Sequence, residues 1–334
     1  MIILLLISYA SYASYAWCYW IPTHIFTANE LYVSERASSP SRTSQGLLSS
    51  QGSCLASPSR TLLDHETIKY LAEMSYDAYI KIEGPGWYNF NATKIEGSVK
   101  GYIFWHDNRY IISLKGTSIN MSKDRYNDNL FFSCCYYKQS NLFRNTCDII
   151  TPEHVCSKSC YENSTNLDAN YLNELNKISV NLHDIINTPD VIFTGHSLGG
   201  MLATYLAIKW NKTAVTFETP GTRHYFDGMS LDYSHAVDKI FHFGHTADPI
   251  FMGKCSSRTS LCYIAGYVIR TKCHVGKRCV YDSINKLKTT SSILKHRMGY
   301  LINTIIPQLE HDFPSCENDT SCTDCEQWSF SSSI

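Results

Sequence analysis

The stretch Val191-Ile192-Phe193-Thr194-Gly195-His196-Ser197-Leu198-Gly199-Gly200 decides the fold class. Val191 to Thr194 reads as a short buried strand, and Met201 to Ala207 reads as a helix. Between them, Gly195 to Gly199 spells G-x-S-x-G. Strand, sharp turn and helix form the setting in which this motif lifts a serine hydroxyl clear of a sheet. Glycines flank the serine because the turn leaves no room for larger side chains. The helix N-terminus behind it favours a developing oxyanion. The motif alone also describes plain Ser-Gly turns. Its flanks, Gly200 beside it and acidic and histidine residues downstream favour a nucleophile.

A serine hydroxyl is a poor nucleophile until a base takes its proton and an acid orients that base. After such an elbow the chain order is serine, acid, histidine, so the partners lie beyond Ser197. Asp248 fits the acid. It follows a predicted strand in Phe241-His242-Phe243-Gly244-His245-Thr246-Ala247-Asp248-Pro249-Ile250, and Pro249 keeps it extended. Asp227, Asp232 and Asp238 read as solvated charges, and Asp282 is the rival. The base comes from His274, His296 or His311. His274 adjoins Cys273, and His311 lies near the tail. His296 precedes a helix in Lys295-His296-Arg297-Met298-Gly299-Tyr300 and is slightly favoured. His242 and His245 come before Asp248 and break the order, which leaves His245 a supporting neighbour at most. One oxyanion donor is the amide of Leu198. The second belongs in a loop after an early strand, where Gly116-Thr117 either presents the Thr117 amide and hydroxyl or simply ends the strand.

At 334 residues the chain holds one large α/β domain with extensions, or two small ones. Apolar residues make up 44% of it, enough for a packed core, and a formal net charge of -1 points to no nucleic-acid partner. A helical pattern starts at Leu62. Strands are expected at Gly101 to Trp105 and Tyr110 to Lys115, joined by a turn at Asp107 to Arg109. A helix over about 168–186 leads to the elbow strand. Strands Ala214 to Phe217 and Lys239 to Phe243 follow, then a β-pair at Tyr263 to Arg270 and His274 to Tyr281, and a last helix from Arg297 to Leu309. Such alternation indicates an α/β domain with a mostly parallel sheet. Lys123 to Cys160 shows neither helical nor strand period and reads as a lid or a disulfide-tied excursion.

Fourteen cysteines favour disulfides over zinc, because Cys322-x-x-Cys325 and Cys156-x3-Cys160 lack a clean second ligand pair. Five N-x-S/T sequons, at Asn91, Asn120, Asn163, Asn211 and Asn318, are glycosylation candidates and agree with entry into the secretory pathway. Residues 1–29 contain no Asp, Glu, Lys or Arg and begin with the apolar run Ile2 to Ile7. They read as a signal peptide cleaved after Ala16 or an uncleaved signal anchor, with a buried N-terminal helix or strand as the lesser alternative. The expected layout is that segment, a Ser-rich stalk over 30–61, a catalytic domain over 62–315 and a Cys-rich tail over 316–334.

Gly116-Thr117, Gly195 to Gly200, Asp248-Pro249 and His296 resemble the class 3, or fungal-type, lipases. A more specific resemblance rests on Lys123-Asp124 through Asn127-Asp128-Asn129-Leu130 with Cys134-Cys135, on Phe217-Glu218-Thr219-Pro220-Gly221, and on His245 to Ile250 with Met252-Gly253. Lys272-Cys273-His274, Gly276-Lys277, Tyr281-Asp282 and His296-Arg297-Met298 extend it. Together these are similar to the vacuolar autophagy lipases over roughly 62–325. The resemblance implies an α/β-hydrolase fold, a Ser197–Asp248–His296 triad and an oxyanion position at Thr117. It also implies phospholipase action on vesicle membranes within a lytic compartment, from a type II anchor, with no cofactor and no metal. The alternatives are a secreted triacylglycerol lipase and a silent lipid-binding protein. The expected partner is a lipid at a membrane surface. Oligomeric state is not legible in the sequence.

Overall fold

Helix α1 (His65–Asp77) starts where the Asp64 carboxylate accepts a hydrogen bond from the Thr67 amide at 2.6 Å. Its apolar face, with Ile68, Leu71, Ala72 and Met74, is buried. The computed structural model describes residues 63–80, 90, 92–118, 121–133, 155–255, 269, 271–319, 322–324 and 329–332. The apolar segment and stalk expected over 1–61, the sequons at Asn91 and Asn120, and most of the expected strand at 263–270 lie outside these residues.

Three antiparallel strands follow α1: β1 (Ala92–Ile95), β2 (Gly101–His106) and β3 (Arg109–Leu114). Asp107 and Asn108 turn β2 into β3 with φ of 53° and 60°, the paired positive φ of a type I′ hairpin. Helix α2 (Ser122–Phe132) corrects the expectation of irregular chain after Lys123. Asp124, Asn127, Asp128 and Asn129 are all buried on it. A helix that buries polar side chains has no hydrophobic period to read.

Next come β4 (Val155–Ser157), α3 (Lys158–Ser164), α4 (Tyr171–Asn181) and α5 (His183–Ile186). The central segment then alternates β5 (Ile192–His196), α6 (Leu198–Trp210), β6 (Thr213–Phe217), α7 (Arg223–Gly228) and β7 (Ile240–His245). After β8 (Lys277–Tyr281), a helical run from Met298 to Gln308 passes through a π turn at Leu301–Ile305. Pro307 lacks an amide hydrogen, so the regular ladder is interrupted in this region. Among the described residues, no helix is long and apolar enough to cross a membrane.

The large sheet runs β1-β2-β3-β5-β6-β7-β8-β9, parallel from β3 to β8 and antiparallel at both edges, with β9 at Cys316–Asn318. The sequence-expected partner of β8 was an upstream strand. Within the described residues it pairs instead with β7 and β9. Successive strand residues point to opposite faces. Ile111, Ile192, Phe217 and Phe243 pack with α1 and the Met298 run, while Ile112, Phe193, Leu130 and Leu202 pack on the α2 and α6 side. Strands covered on both faces read as continuous apolar runs.

Disulfides Cys279–Cys316 and Cys273–Cys322 tie the tail to β8 and the loop before it. Cys156, Cys160 and Cys255 are also disulfide-bonded. A short strand β10 (Ser329–Ser331) pairs in parallel with β4.

Candidate active site

Ser197 stands between β5 and α6 with φ 55° and ψ -123°. This is costly for a residue with a side chain and is stored where the surroundings enforce it. A Cβ on Gly195 would lie 2.5 Å from the Gly199 carbonyl carbon, so the turn closes only with glycine there. The Ser197 amide donates to the Phe217 carbonyl at 3.0 Å and pins the turn to the end of β6.

Three sequence-selected residues meet here. Ser197 Oγ lies 2.9 Å from Nε2 of His296, and Nδ1 of His296 lies 2.8 Å from Oδ2 of Asp248. Asp248 is fully buried just beyond β7, and its other oxygen accepts from the Ile250 amide at 2.8 Å. A carboxylate only accepts, so the ring proton sits on Nδ1 and Nε2 is free to take the serine proton. Burial pulls the His296 pKa down, but the charge and hydrogen bond of Asp248, with the charges of Glu218 and Asp128, outweigh it and leave the value raised.

Leu198 opens α6, so its amide is one of the first-turn donors that have no acceptor within the helix. Thr117 lines the same cavity, and its hydroxyl donates to both oxygens of Asp128, at 2.9 and 2.8 Å. Burial drives Asp128 up to about 8, against the Thr117 hydrogen bonds and helped by the charge of Asp124. Asp124 in turn accepts from the Ser118 amide at 2.6 Å and from the Tyr171 hydroxyl. Asp124 and Asp128 stand four apart on α2; the sequence shows both only within the family resemblance, with no role for either.

The remaining candidates are occupied elsewhere. His274 donates to the Thr219 carbonyl at 2.8 Å, and Asp282 caps the turn after β8 through the Asn285 amide. His311 is exposed. Asp227 accepts from the Tyr233 hydroxyl, Asp232 from Ser234, and Asp238 pairs with Lys277. His242 bonds Thr216 and the Val275 carbonyl within the sheet. His245 is buried beside Glu218, a residue given no role from sequence. The sequons at Asn163, Asn211 and Asn318 are exposed.

Ser197 and His296 open into a cavity of about 630 Å³ walled by Tyr76, Phe132, Pro220, Ile250, Ile293 and Leu294 among others. Arg125 and Arg297 also line it. Leu294 is 62% exposed and Arg297 is exposed, so the rim is apolar with a cationic edge.

Among the described residues, two groups bring possible metal-ligand atoms within 4.8 Å: His196, Glu218 and His296, and Cys273, Cys322 and Asp324. In the second, both sulfurs are spent in a disulfide. In the first, His296 holds Asp248 and Ser197 with its two nitrogens, and Nε2 of His196 donates to the His296 carbonyl. This donor set suits proton transfer better than metal ligation.

No protein-family profile matches the chain. "Putative lipase ATG15" of Pichia angusta is 34% identical over 292 residues, which cover 80% of this chain and 54% of that protein. The Saccharomyces cerevisiae protein of the same description is 32% identical over 296 residues, 80% of this chain and 57% of its own. Lipase II from Rhizopus niveus aligns structurally over 70% of this chain and 92% of its own, at 15% identity and a TM-score of 0.35. The chain spans little more than half the length of the curated relatives it matches. It is a homologue of the ATG15 proteins.

Proposed function

We propose that the chain is a serine hydrolase of acyl esters on an α/β-hydrolase fold, acting on membrane phospholipids. The observation that carries this reading is the line Asp248–His296–Ser197 opening into a deep apolar cavity. Ser197 attacks the ester carbonyl while His296 takes its proton. His296 then protonates the alcohol leaving group, and water hydrolyses the acyl-enzyme by the same route. The amides of Leu198 and Thr117 hold the oxyanion, and losing one such donor costs about 2.7–4 kcal/mol. The cavity takes the acyl chain, and the Leu294 rim meets the lipid surface.

The disulfides agree with an oxidising compartment, and the relatives described as putative lipases support lipid ester hydrolysis; the motif resemblance to the vacuolar autophagy lipases extends this reading to membrane lysis in a lytic organelle. In this reading the catalytic domain is lumenal, held by a type II anchor or released from it. The test is fatty-acid release from phosphatidylserine liposomes and from trioleoylglycerol emulsion, with and without Ser197→Ala. Serine-dependent release from liposomes supports the proposal. Release from the emulsion alone points to a secreted triacylglycerol lipase, and release from neither to a silent lipid-binding protein.

A further inference from the structure

Glu218 follows β6 as Ser197 follows β5. Both leave their strands at positive φ, 50° for Glu218, and the Glu218 amide donates to the Phe243 carbonyl of the next strand at 2.7 Å. The Glu218 side chain is completely buried and faces two imidazoles. Nε2 of His245 lies 2.8 Å from Oε1, and Nε2 of His196 lies 3.5 Å from Oε2. Neither carboxylate oxygen receives an aligned hydrogen bond from a described residue. The two ring N–H groups point elsewhere. His196 Nε2 donates to the His296 carbonyl at 2.8 Å, and His245 Nε2 donates to the Lys295 carbonyl at 3.2 Å. These are consecutive carbonyls of the loop that carries the proposed base.

A carbonyl only accepts, so both Nε2 atoms must bear hydrogen. A neutral imidazole can carry its proton on either nitrogen, and the neighbours decide which. The Tyr79 hydroxyl lies 2.7 Å from Nδ1 of His196, and Ser283 Oγ lies 3.2 Å from Nδ1 of His245. Hydroxyls donate or accept and set no preference by themselves. The two carbonyls favour Nε2–H, and a buried anion beside both Nε2 atoms strengthens that preference. Leaving such a carboxylate without donors is unfavourable, which argues that it serves the groups it faces.

We propose that Glu218 is a positioning residue: its carboxylate keeps the ring protons of His196 and His245 on Nε2, and these two N–H groups clamp the Lys295 and His296 carbonyls. The clamp holds the His296 ring in line between Asp248 and Ser197. It rests on the hydrolase reading above. Asp248 alone grips one end of a ring whose loop is exposed at Leu294 and Arg297 on either side. Small displacements of a catalytic group are expensive in rate.

The charged and titratable groups facing Glu218 include His196, His245, His296 and Tyr79. Asp248 and Tyr300 face His245, and Tyr79 faces His196. Burial pushes Glu218 up, but the His196 and His245 contacts outweigh it and hold the carboxyl below its ordinary range. Burial pulls His245 down, and Glu218 together with the charge of Asp248 and the Lys295 carbonyl more than reverses this.

The experiment uses the full chain with 15N-labelled histidine. Ring tautomers are read by long-range 15N–1H NMR, and the rate of Ser197 phosphonylation by a fluorophosphonate ester is followed across neutral pH. In the unmutated protein His196 and His245 should carry hydrogen on Nε2. Glu218→Gln should mix the tautomers, slow phosphonylation by about 10- to 100-fold and alter its pH profile. Glu218→Asp should recover part of the rate. His245→Gln, whose amide nitrogen reaches the Nε2 position, should outperform His245→Asn. Either ring protonated only on Nδ1 in the unmutated protein overturns the proposal, and that reading needs no variant to fold. So does a folded Glu218→Gln protein with unchanged rate and pH profile. If Ser197 of the unmutated protein does not react although both rings carry Nε2 protons, the hydrolase reading fails and the positioning role fails with it.

Discussion

Asp248 accepts a hydrogen bond from Nδ1 of His296 at 2.8 Å. This contact sets the tautomer, and so Asp248→Asn should remove the base without removing the fold. The expected loss in kcat on a soluble short-chain ester is about 10⁴-fold, with KM little changed, the size seen for the equivalent change in serine proteases. A loss below tenfold would mean that Asp282 or another acid orients the ring.

The same contact dictates a pH dependence. Burial lowers the His296 pKa, Asp248 with the charges of Glu218 and Asp128 raises it more, and the balance lies above the ordinary value of 6.5. His296 acts as a base only when neutral, so kcat/KM should fall with acid along a limb centred above 6.5. Asp248→Asn should move the residual activity's limb to lower pH. A limb that stays put in that variant would detach it from His296.

Asp128 supplies a stability test. Its carboxyl is pushed from 3.8 to about 8, first by burial. A raised folded pKa gives stability that is complete below the unfolded value and is lost as pH climbs through the folded one. Relative to Asp128→Asn, the unmutated protein should therefore lose stability between about 4 and about 8, at up to about 1.4 kcal/mol per pH unit. Chemical denaturation of both proteins on either side of that window reads the difference. A constant difference would mean an ordinary carboxylate.

Asp128 also bears on rate. Asp128→Asn keeps an acceptor for the Thr117 hydroxyl and should keep most activity near neutrality. Asp128→Ala releases that hydroxyl and should cost about 10- to 100-fold in kcat, less than loss of a whole oxyanion donor.

Leu294 is 62% exposed at the cavity rim, two residues from His296. Leu294→Asp should cut hydrolysis of liposomes by about tenfold or more, since it places a charge where about 2 kcal/mol of apolar burial is expected. Hydrolysis of a soluble ester by the same variant should change little. Equal losses on both substrates would make Leu294 part of the cavity rather than of a lipid-facing surface.

The elbow was legible because doubly covered strands are apolar runs and the turn demands glycines. Asp248 was legible by its place after β7. Its setting gave His296 only a slight lead over His274 and the family resemblance named it; the fold adds that the His274 ring is committed to the Thr219 carbonyl. Helix α2 escaped because Asp124, Asn127 and Asp128 are buried on it, which erases the hydrophobic period. His245 was set aside for preceding Asp248, yet it touches Glu218 beneath the His296 loop. That contact exists only because β6 and β7 are parallel neighbours ending at one level.

In the proposed reaction Ser197 forms an acyl-enzyme with His296 as its base. The most direct measurement is acid quench of the full chain during turnover of a short-chain p-nitrophenyl ester, followed by peptide mass spectrometry. An acyl group is expected on the peptide containing Ser197, with none in Ser197→Ala and far less in Asp248→Asn. Turnover without acylation of Ser197, or acylation at another residue, would contradict that reaction.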